Sequence, residues 1–157
     1  MKNIVLVRVD ERLIHGQFVT AWLRQTDVST VFLVDDIVIN DEFTKMLYMA
    51  AFPKDKKLVI SGVEEAISNF ATLENEKIIL LVRNVECALK LVQQGFAMET
   101  IIIGGVGSKS GSKKICRNLY LLQEEIDCVK ELISLGVILK YQLVPNDKSV
   151  VLSKDKL

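Results

Sequence analysis

The sequence predicts an α/β fold: an open, mostly parallel twisted sheet of about six to seven strands, with helices on both faces and the candidate active-site loop after the first strand. Three observations lead there. Short β-branched runs alternate along the chain with amphipathic stretches. Most of the runs are too continuously apolar for a sheet with one wet face, so they read as strands covered on both sides. The connections are short, and parallel neighbours joined in this way require helical crossovers.

The predicted strands, in order, are 4–9, 31–34, 58–60, 78–82, 101–103 and 137–144, with a further short strand expected in 116–122. Between them, Phe43, Met46, Leu47, Ala50 and Ala51 follow the spacing of one helix face, as do Val63, Ala66, Ile67, Phe70 and Ala71. Both stripes are expected to pack on the sheet, with Trp22, Phe43, Met46 and Phe70 in the core. Phe18, Tyr48 and Phe52 are the candidates for a partly exposed docking patch. Ser61-Gly62-Val63-Glu64 has the spacing of a capping box, and Asn40 and Asn84 stand where N-caps are wanted. Pro53 closes the second helix, and Gly95 and Gly136 follow helical runs as C-terminal stops. No linker, internal repeat or low-complexity tract divides residues 1–157, so one domain is expected. The tail 145–157 has no clear pattern.

Composition narrows the function. The chain has 157 residues, half of them hydrophobic, with 20 Lys+Arg against 20 Asp+Glu and a single histidine. Disorder calls for low hydrophobicity and high net charge, and nucleic-acid binding for a basic excess or stripe. Neither is present. Residues 1–7 are too short for a signal-peptide core before the charges at Arg8, Asp10, Glu11 and Arg12, and no apolar run approaches the ~18 residues of a membrane span. The three cysteines, Cys87, Cys116 and Cys128, form no CxxC pair; they suit a reducing cytoplasm and read as small buried hydrophobes. With one His and no thiol cluster, the usual transition-metal ligand sets cannot be assembled, while a carboxylate-bound magnesium stays compatible with the composition; no metal or other cofactor is expected.

The chemistry converges on His15. It lies in Arg8-Val-Asp-Glu-Arg-Leu-Ile-His-Gly-Gln17, after the first strand and before a helix expected to begin near Gly16 or Gln17, whose buried side is Phe18, Val19, Trp22 and Leu23. Ligands of open parallel sheets bind at this carboxyl rim, where the strand order reverses. A helix N-terminus there offers unpaired N–H groups to a phosphate. Gly16 permits close approach, and Arg12 supplies a forked, permanently charged donor. Near neutral pH an imidazole keeps a free lone pair and needs no separate base to attack phosphorus. These parts suit a phosphoryl group on or beside His15, held by Arg12, Gly16 and Gln17. A histidine that only hydrogen-bonds within its loop is equally compatible with the residues alone.

The segment RVDERLIHGQ (residues 8–17) resembles the active-site stretch of the enzyme IIB components of the mannose/fructose/sorbose family of the bacterial sugar phosphotransferase system (PTS). Val34-Asp35-Asp36 with Asn40-Asp41, the Ile103-Gly104-Gly105 turn, and Glu131–Gly136 leading to Gln142-Leu143-Val144-Pro145 resemble later landmarks of that family in the same order. The resemblance implies a phosphocarrier in which His15 accepts a phosphoryl group from a phosphorylated IIA protein or domain and passes it to a sugar during uptake through the membrane components IIC and IID. This is the IIB subunit of a protein-N(pi)-phosphohistidine–sugar phosphotransferase, a cytoplasmic phosphoprotein at the membrane transporter and in the family often a homodimer. It also implies that Arg12 holds the phosphoryl group, while Asp10 is assigned to orienting Arg12 or the imidazole.

Other readings remain beside it. A module of the same fold without transfer activity would keep the IIA contact alone. The loop 104–114, rich in Gly, Ser and Lys, suggests a nucleotide site, but Ser110 stands where a P-loop or dinucleotide motif needs Gly. The loop is then a mobile surface segment, or it flanks the His15 rim and touches a partner. Asp35-Asp36 resembles the acidic pair of a receiver domain, yet the third and fifth strands end in Ile60-Ser61 and Ile103-Gly104 instead of the Asp and Lys such a domain requires. These aspartates are left to helix-start hydrogen bonding or to supporting the active-site loop.

Overall fold

A computed structural model describes residues 3–157. In chain order it contains β1 (Ile4–Val9), a π-helical turn (Phe18–Leu23), β2 (Thr30–Val34), α1 (Asp36–Ile39), α2 (Glu42–Ala51), β3 (Lys57–Ser61), α3 (Ala66–Ala71), β4 (Ile78–Val82), α4 (Val85–Gln93) and β5 (Thr100–Ile103). Then come β6 (Lys113–Cys116), β7 (Leu119–Leu121), α5 (Gln123–Ser134), β8 (Ile138–Tyr141) and β9 (Val150–Val151). Seven strands form one sheet in the order β3-β2-β4-β1-β5-β8-β9, parallel except for the final antiparallel pair. The α/β fold predicted from the apolar runs is the one observed.

Strand alternation builds a core on each face. Val7, Val9, Phe32, Val34, Ile78, Leu80, Val82, Ile101 and Ile103 point to one side, where they meet α3, α4 and α5. Leu6, Val31, Leu33, Ile79, Leu81 and Ile102 point to the other, under the π-helical turn, Val38 of α1 and Phe52. Every residue of β2 and β4 is buried, which explains their unbroken apolar runs. From β1 the chain runs outward to β2 and β3, returns to β4 between β2 and β1, then crosses to β5 on the far side of β1. The order therefore reverses beside β1, and the carboxyl end of β1 is the switch point where such sheets bind ligands.

Several expectations need correction. The stripe Phe43, Met46, Leu47 and Ala50 of α2 faces outward, with Phe43 64% and Met46 60% exposed and no residue of the helix buried. Periodicity marks a face but not its direction. Here Tyr48 and the residue after the helix, Phe52, supply the inward contacts to the core, and Phe18 and Phe52 are both buried where partial surface exposure is expected from the sequence. Ser61 ends β3 and turns its hydroxyl onto the Gly62 carbonyl; the Val63 N–H is met by Asp36 Oδ1 at 2.8 Å, so no capping box forms. Asp41, not Asn40, caps α2, and Asn40 ends α1. Asn84 does cap α4, accepting from Cys87 N. Gly95 and Gly136 stop their helices with φ of +103° and +88°, a conformation that side-chain-bearing residues rarely adopt.

The strand expected at 137–144 is only Ile138–Tyr141, and the one at 116–122 is a separate hairpin of β6 and β7. In the tail, β9 pairs with β8. Among the described residues no helix is long and apolar enough to cross a membrane.

Candidate functional site at the carboxyl end of β1

Apolar anchors set the shape of the loop after β1. The Asp10 N–H donates to the Val82 carbonyl at 2.9 Å, the last rung toward β4, and the Leu13 N–H turns back onto the Asp10 carbonyl at 3.0 Å. Leu13 sits at φ +52°, in the left-handed region that a leucine seldom adopts, and is wholly buried. Ile14 is buried beside it. Together they pull the loop into the core and leave His15 at the rim. The chain then winds into a helical turn in which Val19 N–H reaches the His15 carbonyl, and Arg24 N–H reaches Val19, five residues back. That wider winding is the π-type geometry, common next to functional sites. The helix expected to follow His15 is therefore present, with an irregular body.

Asp10 is the hub of the loop and is 2% exposed. Its Oδ1 accepts the Arg12 backbone N–H at 3.1 Å. Its Oδ2 accepts from Arg8 Nη2 at 3.2 Å and lies 4.0 Å from His15 Nε2. His15 Nδ1 is 2.8 Å from the Leu13 carbonyl. A carbonyl only accepts, so Nδ1 carries the proton and the lone pair of the neutral ring is on Nε2, which is buried without a hydrogen-bond partner. The Arg12 side chain is 56% exposed and donates from Nη2 to Gln17 Oε1 at 3.1 Å. A side chain at Gly16 would meet nothing within 4 Å, so the approach to the ring is open on that side. The structure thus brings His15, Arg12, Asp10, Gly16 and Gln17 together at one rim, as expected.

Beside them is a cavity of about 390 Å³ whose walls include Glu11, Arg12, Arg83, Asn84, Lys109 and Glu125. Lys109 comes from the loop 104–114, which therefore flanks the His15 rim. That loop leads into the β6–β7 hairpin and not into a helix, a context unlike that of a phosphate-binding Gly-rich loop. Asp35 and Asp36 serve local structure. Asp35 accepts from Ile37 and Val38 N–H at the start of α1 and from Arg83 Nε and Nη2, at 2.8 and 3.0 Å. Burial pushes the Cys87 thiol up to about 12, and burial raises Cys116 and Cys128 as well, so none is poised as a thiolate at neutral pH. Among the described residues no group of three or more His, Cys, Asp or Glu is arranged to hold a metal ion.

Sequence reasoning missed Arg8 as the buried partner of Asp10. For Arg8 a signal was available. A charged residue inside an otherwise apolar, doubly covered strand is expected to be buried only with a partner.

Comparison with known proteins agrees with this geometry. A model of the PTS system sorbose subfamily IIB component matches residues 4–155. The sorbose-specific EIIB component of Klebsiella pneumoniae is 32% identical over 150 residues, covering 94% of this chain and 92% of that protein. The corresponding component of Lacticaseibacillus casei is 34% identical over 148 residues, covering 93% and 90%. The crystal structure of the IIBSor domain of the Klebsiella pneumoniae sorbose permease superposes with a TM-score of 0.90 at 32% identity, covering 98% of this chain and 95% of that one. The chain belongs to the sorbose-subfamily IIB components of the sugar phosphotransferase system, the phosphocarriers of sugar uptake.

Proposed function

We propose that His15 is the phosphoryl acceptor of this IIB component. It takes the group from a phosphorylated IIA protein and delivers it to a sugar carried by the IIC and IID membrane components, as the IIB subunit of a protein-N(pi)-phosphohistidine–sugar phosphotransferase. The observation that carries this reading is the position of the single histidine. It lies at the switch-point rim, its Nε2 faces a buried carboxylate, and an exposed arginine stands beside it.

In the reaction a lone pair on the His15 ring forms an N–P bond while the N–P bond to the donor histidine breaks, and the donor nitrogen takes back its electron pair. No water and no metal enters this balance. In the present rotamer one ring nitrogen is bonded to Leu13 and the other is shielded, so the ring turns toward the rim as the donor docks. Arg12, largely exposed and with its Nε 3.8 Å from Asp10 Oδ1, supplies charge-assisted hydrogen bonds to the phosphoryl oxygens in the way that phosphoryl transfer demands, by positioning and charge stabilisation. The amides of Gly16 to Phe18 precede the first intrahelical bond and add donors to the same region. The exchange takes place at the cytoplasmic side of the transporter, where the protein associates peripherally.

The test is uptake of ³²P from phosphorylated IIA protein. An acid-labile, base-stable label on the wild-type protein and none on His15→Ala is the expected result. Label that persists on the His15→Ala protein overturns the assignment.

A further inference from the structure

The arginine inside β1 is costly to bury, and its surroundings are specific to a planar fork. Arg8 is 1% exposed. Its Nη1 donates to the Gln142 carbonyl at 3.0 Å, and its Nη2 to the Leu143 carbonyl at 3.1 Å and to Asp10 Oδ2 at 3.2 Å. The guanidinium lies 4.3 Å over the ring of Trp22, whose Nε1 donates to the same Leu143 carbonyl at 3.0 Å. Segments 142–143, the helical turn and β1 are therefore tied together at one point. Room for this is made by Gly104 at the end of β5. A Cβ there would stand 2.6 Å from Arg8 Nη2 and 3.1 Å from Asp10 Oδ2, inside the space of the ion pair.

A buried ion pair of this kind is a poor source of stability compared with a well-packed apolar residue of similar size. What it supplies here is geometry. Asp10 contacts both Arg8 and the backbone of the outer loop, through Arg12 N–H, and its Oδ2 faces His15 Nε2. Without Arg8 the buried carboxylate keeps only the largely exposed Arg12 guanidinium, whose Nε is 3.8 Å from Oδ1, as a nearby countercharge, and either its position or its ionisation must change. The amide of Arg12, the turn at Leu13 and the setting of the His15 ring would follow.

We propose that Arg8, admitted by the missing side chain of Gly104, is a positioning residue for phosphoryl transfer that acts on His15 through Asp10. This rests on the reading in which His15 is the acceptor. Arg8 is shut inside the protein and meets neither the donor nor the phosphoryl group, so its influence lies on the transfer step and not on recognition of the IIA protein.

The experiment compares Arg8→Met, Arg8→Lys, Gly104→Ala and, as a control, Gly107→Ala, at which a Cβ would meet nothing within 4 Å. Single-turnover transfer from phosphorylated IIA protein, as a function of donor concentration, separates the maximal rate from the half-saturating concentration. The ¹⁵N shifts of the His15 ring report its tautomer, and thermal unfolding identifies the folded variants. Misplacement of a reacting group by about 1 Å costs on the order of 100-fold in rate. A fall of that order is expected in the maximal rate for Arg8→Met and Gly104→Ala, with an unchanged half-saturating concentration and ring shifts that leave the Nδ1–H pattern of the wild type. Arg8→Lys, which keeps the charge but not the fork, is expected to lie between, and Gly107→Ala to match the wild type.

Folded variants at Arg8 and Gly104 with wild-type rates and ring shifts overturn the proposal, as does failure of all three to fold, which makes Arg8 a purely structural residue. If the wild-type label is found on a residue other than His15, the reading of the acceptor fails instead. The two failures are thus distinguishable.

Discussion

Two buried aspartates stand at the same rim, one at the end of β1 and one after β2, and they use partners of the same kinds, backbone amide and arginine, for different ends. Asp10 is 2% exposed and Asp35 5% exposed. Each receives backbone N–H groups and an arginine. Asp35 is saturated: two amides of α1 and two nitrogens of Arg83 converge on it, so it closes a helix start and ends there. Asp10 accepts from one amide and one nitrogen of Arg8, has Arg12 Nε 3.8 Å from Oδ1, and leaves Oδ2 facing an imidazole nitrogen 4.0 Å away, a contact too long to be a hydrogen bond. The difference separates a carboxylate that holds a fold from one that faces the proposed phosphoryl acceptor. It is visible only when every oxygen has been accounted for.

The most direct way to break the contrast is Asp10→Asn. It leaves Arg8 buried without a counterion, so stability should fall by about 3 kcal/mol, while transfer to His15 should fall on the order of 100-fold in the molecules that remain folded. Urea unfolding and single-turnover labelling on one preparation read both. Next is Arg12→Ala, which removes the proposed phosphate clamp. A loss of about 100-fold in transfer is expected, as for removal of one preorganised donor, with unfolding shifted by no more than about 0.5 kcal/mol because the side chain is largely in water. A large loss of stability would show that Arg12 is structural.

Asp35→Ala sharpens the opposite limb. Losing the cap of α1 and the arginine pair should cost about 2 kcal/mol, yet transfer per folded molecule should stay within about twofold of wild type, since Asp35 does not touch the loop of His15. A selective loss of transfer would erase the distinction between the two aspartates. The smallest effect is expected at α2. Phe43→Ser should change stability by no more than about 0.5 kcal/mol, whereas Phe70→Ala, packed between Phe32 and Phe96, should cost about 3 kcal/mol in the same unfolding assay.

Much of this was legible in the amino-acid order. The unbroken apolar runs at 31–34 and 78–82 marked doubly covered strands, and both proved buried along their whole length. His15, Arg12, Asp10, Gly16 and Gln17 are neighbours in the chain, so a local motif was enough to place them at one rim. What escaped was non-local. Arg8 meets the carbonyls of Gln142 and Leu143, 134 and 135 residues away, and Arg83 meets Asp35 across 48. No spacing rule links such positions. Periodicity found the stripe of α2 but put it on the wrong side, because amphipathic spacing is unchanged when a helix is rotated about its axis.

The sequence by itself determined the α/β class, the strand cores, and a histidine-bearing loop after the first strand, because these depend on patterns that are local and repeated. The tertiary structure alone decided which face of α2 is dry, which of two aspartates is saturated, and why residue 104 has no side chain. Those outcomes rest on how distant backbone carbonyls, a guanidinium and an indole ring share a few cubic ångströms, and steric exclusion and hydrogen-bond valence act only between groups that the fold has already brought into contact.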